Sequence, residues 1–557
     1  MRVDIRKYFA LLVVAALTAC GGGGASDDNE KNIDGSAASV TSYEEAFRFL
    51  NQASMGATIA EARRVEAMGY EAWIDEQIAL PISLQAPYVQ SAVNLTGDAP
   101  RGNRVGAWVR NAIDGPDQLR QRVALALSEI LVVSEGGNLA FYKWQLAMAD
   151  YYDVLSRHAF GNYRDLLEEV TLHPVMGMYL NMRGNLKPDT ERNIRPDENF
   201  ARELLQLFSI GLVELNLDGT EKKNDRGRSI PSYNQRVVQG FAHVFTGWDF
   251  SKIGGYEDNP GPLHISRRTP MELFPNRHDT GPKKLLNGRR LPGRENGRQD
   301  LKDALDNVFA HENVAPFVSY RLIQRLVTSN PSPQYVERVA RVFNDNGFGE
   351  KGDLGAVVKA ILLDPEARPD SFSPIDGKLK EPMLRMTQLW RTYNAVPADF
   401  TGTFSFDYMD EKLGQGPMLA PDVFNFFLPT YAPPGPIRDQ QLVAPEMQIT
   451  TEYQTALLAT YMHRQAFFWN TVPGRLEQGP VVQPDLLIEY STLLDLESDP
   501  RALVRRVDRQ LLGGKISYKL RNQILQMLEE VPLNQKGLRS ATTIYLVVSS
   551  PEYAYQY

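Results

Sequence analysis

The chain carries one cysteine in 557 residues, at position 20, so no disulfide within the chain is available to staple the folded body. Past that cysteine no apolar stretch approaches the roughly 20 residues that a bilayer-spanning helix needs. Lys and Arg number 60 against 68 Asp and Glu, a formal net charge of −8. They form no long basic run, which argues against nucleic acid as the main partner. Familiar chemical signatures are missing as well. There is no Cys-x-x-Cys-His haem site, no His-Glu-x-x-His zinc helix, no phosphate-cradling Gly-Lys-Ser/Thr loop and no Gly-x-Ser-x-Gly elbow. Seven histidines are scattered without metal-ligand spacing, so no metal ligands are assigned and the cofactor is left unknown.

What is present begins with an address. Arg2, Arg6 and Lys7 form a positive start, Tyr8 to Leu17 a short apolar run, and Leu17-Thr18-Ala19-Cys20 closes the segment. This is the build of a lipoprotein signal peptide over residues 1–19, with Cys20 left as the lipidated first residue of the mature chain. Residues 20–41 follow as a tether, opening Gly21-Gly22-Gly23-Gly24 and rich in Gly, Ser, Asp and Asn. Such a composition buries too little apolar surface to offset the entropy of ordering. Gly21, rather than an aspartate, follows the cysteine, which favours the outer membrane as destination in a Gram-negative host. The expected membrane contact is the lipid, with the leaflet undetermined.

The remainder is 43% hydrophobic and 10% aromatic overall, an ordinary globular composition. Its periodicity predicts a mainly α fold: a large multi-helix body interrupted by long irregular Gly/Pro-rich loop segments. Residues 42–250 read as an N-terminal helical region, 251–300 as an irregular loop region and 301–557 as a C-terminal helical region. Helices are expected over 43–50, 59–68, 71–78, 118–133, 165–170, 198–210, 235–245, 335–343, 354–363, 447–468, 500–512, 518–531 and 538–548. Asp364-Pro365-Glu366 and Ser550-Pro551-Glu552 each follow an apolar helical run, with a capping side chain before a proline at the first helical position. Leu172-His173-Pro174 has the same shape.

Three constellations invite a functional reading. Asn199-Phe200-Ala201-Arg202-Glu203-Leu204-Leu205-Gln206 places Phe200 and Leu204 on one helix face, with Asn199, Glu203 and Gln206 on its flank and Arg202 just beyond. Glu203 would be a general base and Arg202 a stabiliser of negative charge. The structural alternative pairs Glu198 with Arg202 at i,i+4 and has Glu203 hold a neighbouring loop. His278-Asp279 before Gly281-Pro282-Lys283 offers a general base, a metal ligand or a turn that pins a loop to the body. Trp248, after Thr246-Gly247, is a stacking residue or a plug. The candidate catalytic residues are therefore Glu203, Arg202, His278 and Asp279, and the candidate binding residues Asn199, Trp248 and Lys283.

The ordered set of Phe49-Leu50-Asn51-Gln52-Ala53-Ser54-Met55-Gly56, the Asn199–Phe208 helix, Phe245-Thr246-Gly247-Trp248, His278 to Lys283, and Gly414-Gln415 running into Pro421-Asp422-Val423-Phe424-Asn425 resembles the bacterial family called domain of unknown function 1800. The resemblance runs from Tyr43 to the C-terminus. It implies an exported, mainly helical protein with a partner or shared pathway in an exported sulfatase- or phosphatase-like protein, whose gene often sits beside those of the family, and it brings no reaction. Many members read Glu where this chain has Gln206, which removes a carboxylate from that position. Two functions stand. One is an accessory or binding lipoprotein of the cell envelope; the other is a hydrolase-like enzyme built on the Asn199–Glu203 helix and the His278-Asp279 loop. Cys20→Ala is expected to abolish incorporation of labelled palmitate and to free the chain from the membrane fraction. Retention of both would make the cysteine incidental.

Overall fold

The computed structural model describes residues 42–557, apart from 98, 252–266, 295, 370, 372, 374, 400, 401 and 481. The signal peptide, Cys20 and the tether lie outside the described residues. The fold is mainly α, as the periodicity predicts, and its strands are short pairs of two residues each. No described helix is long and apolar enough to cross a membrane.

Local sequence sets most helix ends. Ser42 accepts a hydrogen bond from the Glu45 N–H and opens Tyr43–Ala53. Gly69, at φ +87°, closes Ile59–Met68 and leads directly into Tyr70–Ala79. The Pro-Glu punctuation works as read: Asp364 caps the turn Pro365–Ala367, Ser550 caps Pro551–Ala554, and His173 Nδ1 accepts from Val175 N at the start of Pro174–Tyr179. Each of these caps satisfies an N–H that the helix itself leaves unpaired.

One apolar core runs through the body, holding residues as far apart in sequence as Tyr43 and Tyr553. Its hub is Gln118–Ser128, in which every residue from Gln118 to Leu127 is buried. This helix packs against Tyr70–Ala79, Gln145–Arg157 and Val314–Leu326. The apolar spacing predicts a helix to Val133, but it stops at Ser128. Beyond it the backbone turns to meet a distant loop, with Glu135 N donating to Met418 O and Ser134 Oγ to Ala420 O. Helix periodicity cannot distinguish such an apolar run from one more helical turn.

The irregular region is partly ordered into small antiparallel pairs. Trp248–Asp249 pairs with Glu272–Leu273, and Lys283–Lys284 with Arg290–Leu291. Lys283–Lys284 of the second pair packs against Gln235–Val244, which also packs against Asn199–Gln206. Gly240 makes the first contact possible, since a Cβ there would lie 1.9 Å from Lys284 O. The helix Gln235–Val244 therefore bridges the two sequence constellations that carry the candidate residues.

Candidate functional site

The first constellation starts at Asp197, whose Oδ1 accepts from the Asn199 N–H and opens Asn199–Gln206. Phe200 and Leu204 face the core, and Phe200 meets Phe245 edge-on with ring centroids 4.9 Å apart. Arg202 turns away from Glu203. It pairs with Glu198 at 3.0 Å and donates to Gln235 Oε1 at 3.3 Å, while Gln235 Nε2 donates to the same Glu198 carboxylate at 2.7 Å. The i,i+4 pair expected of a structural Arg202 is therefore formed.

Glu203 is different. It is 7% exposed, and its Oε2 is buried without a hydrogen-bond partner among the described residues. Burial raises its pKa, and the nearby Arg202 guanidinium pulls the other way without cancelling that rise. Two phenols share its surroundings. Tyr233, pushed up to about 12 by burial, and Tyr179, also about 12, both lie within electrostatic range of the Glu203 carboxylate. Asp422, from the Pro421–Asn425 motif, acts on Tyr179 as well. The two carboxylates, more than two hundred residues apart in sequence, thus both act on the Tyr179 phenol. Tyr233 brings a second buried, unpartnered group, its hydroxyl. It lines an open cavity of about 390 Å³ with Asn234, Val237 and Lys284.

The second constellation is tied inward. His278 is 2% exposed; its Nδ1 is 2.8 Å from Thr246 O and its Nε2 is 3.0 Å from Asp300 Oδ2. Lys283 Nζ reaches the same Asp300 oxygen at 2.6 Å and also donates to the carbonyls of Asp279 and Gly281. Burial would raise Asp300, but His278 and Lys283 hold it below the usual carboxylate range. Asp279 bonds to His243 Nδ1 and accepts from Gly281 N, and its own N–H donates to Thr246 Oγ1. The adjacent His278 and Asp279 are therefore not each other's partners. Each pairs across the fold, with Asp300 and His243.

Trp248 is buried and forms part of the strand pair with Leu273. Gly247, at φ +85°, lets that strand run against the loop, because a Cβ there would be 2.8 Å from His278 N. Arg298 stands 5.8 Å from the Trp248 ring centroid. Of the candidates, the structure gathers His278, Asp279, Lys283 and the Thr246-Gly247-Trp248 turn in one network. Arg202 and Glu203 belong to the other constellation, as does Asn199 at the start of their helix.

Sequence reading missed His243, Asp300, Tyr179 and Tyr233. His243 sits in Gln235–Val244, three residues before Thr246, so its place in the Phe245–Trp248 motif was the available signal. Asp300 lies in the first turn of Gly297–Phe309, where an acid reads as ordinary helix chemistry. Among the described residues no group of three or more His, Cys, Asp or Glu is placed to hold a metal ion.

Asp279 gives a pH test of the inward-tied loop. The hydrogen bond from His243 lowers its pKa from 3.8 to about 2. Its side chain is 19% exposed, so little solvent discount applies. A depressed carboxylate adds stability that is present above its unfolded pKa and lost as pH falls through the folded one, here between about pH 4 and pH 2. Asp279→Asn is expected to cost about 2 kcal/mol at pH 6 and to flatten the stability–pH curve across that window. Denaturant titrations from pH 2 to pH 6 measure both, and an unaltered acid limb would show that Asp279 does not hold the loop.

No curated protein and no solved structure matches this chain. A family model does, over residues 48–555, from the first helix to the last strand and through both constellations. The chain belongs to the family described as protein of unknown function DUF1800.

Proposed function

We propose that this chain is an accessory or binding lipoprotein of the cell envelope. It is exported, anchored through lipid on Cys20 to the outer membrane, and works with an exported sulfatase- or phosphatase-like partner. The observation that carries this reading is the condition of the His278 loop. His278, Asp279 and Lys283, the groups with the most catalytic chemistry in the sequence, are engaged with Asp300, His243, Thr246 and backbone carbonyls. A pinned loop shapes a surface; a general base needs reach to a substrate proton.

A surface of binding character supports the same reading. Arg101 lies between the rings of Tyr142 and Tyr408, 5.6 and 5.4 Å from their centroids, and its guanidinium pairs with buried Glu135. Both tyrosines are exposed, at 57% and 47%, and Leu139 beside them is 90% exposed. Rigid aromatic groups around an immobilised arginine are the residue types enriched at protein interfaces. Co-expression with the sulfatase-like protein encoded beside this chain is expected to give one complex on size exclusion in detergent, weakened by Arg101→Ala. Independent elution of the two proteins would overturn the partnership.

One observation favours the hydrolase-like reading: the unpartnered Glu203 carboxylate beside Tyr233 and Tyr179. Because burial raises its pKa, the charged form is the costly one in the folded state, and that cost grows as pH rises above the unfolded pKa. Glu203→Gln is therefore expected to match or exceed wild-type thermal stability at pH 8. In the hydrolase reading it also abolishes turnover of nitrophenyl ester, phosphate, sulfate or glycoside substrates. Turnover that survives the substitution, or wild-type inactivity on all four classes, excludes a catalytic Glu203 for these substrates.

A further inference from the structure

The helix Pro500–Leu511 buries Leu503, Val504, Val507 and Leu511, together with Asp508 and Gln510. At about 100° per residue, the positions left facing outward are Arg501, Ala502, Arg505, Arg506 and Arg509. That side carries four arginines and no acid. The chain then turns through Gly513 and Gly514, exposes Lys515, and opens the helix Tyr518–Glu530 with Tyr518, 79% exposed, and the exposed Lys519. The two helices pack against each other across this turn.

These cations are not spent within the fold. Arg501, Arg505, Arg506, Lys515 and Lys519 form no salt bridge with a described carboxylate. Nearby acids are engaged elsewhere: Asp508 is buried and accepts from Ile516 N at 2.9 Å, and Glu552 accepts from Ser517 N and Oγ at 2.9 and 2.5 Å. On a chain of net charge −8, an unpaired cationic face suits an anionic surface.

The place of this face selects the surface. Tyr43 Oη donates to Arg509 O at 2.8 Å, and the Arg509 guanidinium stands 4.5 Å from the Tyr43 ring centroid. A Cβ at Gly513 would lie 2.8 Å from Phe47 Cδ1. The first described helix, Tyr43–Ala53, therefore starts against the basic helix. Cys20 precedes Ser42 by 22 residues, a length that spans at most about 80 Å. Lipid on Cys20 would hold the bilayer within that reach and make the second contact intramolecular. The apolar side of Pro500–Leu511 is already buried in protein, so the contact is peripheral, cations against headgroups. Tyr518 is an aromatic of the kind that settles at a membrane–water boundary.

We infer that Arg501, Arg505, Arg506, Lys515 and Lys519, with Tyr518, dock on the anionic lipid headgroups of the membrane that holds the anchor. Docking fixes which side of the body faces the bilayer. Where the face acts rests on the lipid-anchor reading above. Unlipidated protein keeps the face, however, so vesicle binding and palmitate labelling fail separately.

The mature chain, residues 20–557, is made without its signal peptide, so that Cys20 carries no lipid. It is floated with vesicles of phosphatidylcholine alone or with about 30% phosphatidylglycerol. Flotation with the anionic vesicles only is expected at about 0.05 M salt, and release at about 0.5 M, where exposed charges are screened. Arg505→Ala, Arg506→Ala and Lys519→Ala, each with an unchanged circular dichroism spectrum, are each expected to weaken binding about fivefold. Arg226→Ala, at an exposed position outside this face, is expected to leave it unchanged. Absence of binding to anionic vesicles, or equal binding to neutral ones, would overturn the inference. So would affinity that survives the three substitutions or falls as far with Arg226→Ala. Capture by heparin in the same buffer without flotation would assign the face to a soluble polyanion, which also overturns it.

Discussion

Arg122 has no route to water. It lies fully buried in the hub helix, and one of its Nη groups donates to Arg325 O at 2.5 Å. Around it stand Glu129, Arg325, Lys378, Glu381 and Glu446, each no more than 6% exposed. Arg325 reaches Glu129 at 3.4 Å, Lys378 pairs with Glu446 at 2.8 Å, and Gln415 donates to Glu381 at 2.6 Å. Removing one such ion from water costs several kcal/mol, and only well-placed opposite charges offset it. Burial and the adjacent Glu381 carboxylate push Glu129 well above the usual carboxylate range. This knot joins parts of the chain more than three hundred residues apart. Separating them would strand charge in the interior, so the knot constrains every element attached to it.

The chain end is attached to it too. Lys378–Leu379 pairs with Tyr555–Gln556, and Gln556 Nε2 donates to Leu326 O at 2.7 Å. Gln52, from the first helix, donates to Tyr557 O at 3.0 Å. On the other side Gln415 begins a buried tie. Pro417 O accepts from Arg104, Met418 O from Glu135 N and Ala420 O from Ser134. Arg104 in turn pairs with Glu135 at 3.0 Å and donates to Gln145. The Gly-Pro-rich segment that begins at Gly414 is therefore, at its start, an interior strap between two ionic clusters. Its continuation carries Asp422, whose charge acts on Tyr179 as that of Glu203 does.

Sequence was legible where the controlling force is local. Ile59–Met68, Leu354–Leu363 and Leu538–Val548 have the limits their periodicity implies, because capping groups and apolar spacing act within a turn or two. Helical body, irregular middle and Glu198–Arg202 pair follow from the same short-range rules. The rest was set by partners far away in sequence. His278 and Asp279 look like a dyad because they are adjacent, but adjacency does not pair side chains, and each binds across the fold instead. Asp300 and His243 lie 22 and 36 residues from the groups they bind. A pattern of spacing holds no information about that choice. Glu203 was legible as a polar residue at a core boundary; its lack of a counter-ion was not.

That lack separates Glu203 from other acids of this interior. Glu135 has two guanidinium partners, and Asp300 has Lys283 and His278. Glu446 has Lys378. The fold thus supplies cations to these buried carboxylates, and beside Glu203 it supplies Arg202 and directs it to Glu198 and Gln235 instead. A glutamine at 203 would keep the shape without the penalty on a buried charge, so packing alone does not require the acid. A group that lowers stability where a neutral isostere would serve is the mark of a site shaped by what it must contact. The buried Tyr233 hydroxyl, within electrostatic range of Glu203, is left without a partner in the same way. At the His278 loop, by contrast, the buried carboxylate of Asp300 has two cations, Lys283 and His278, to hold it.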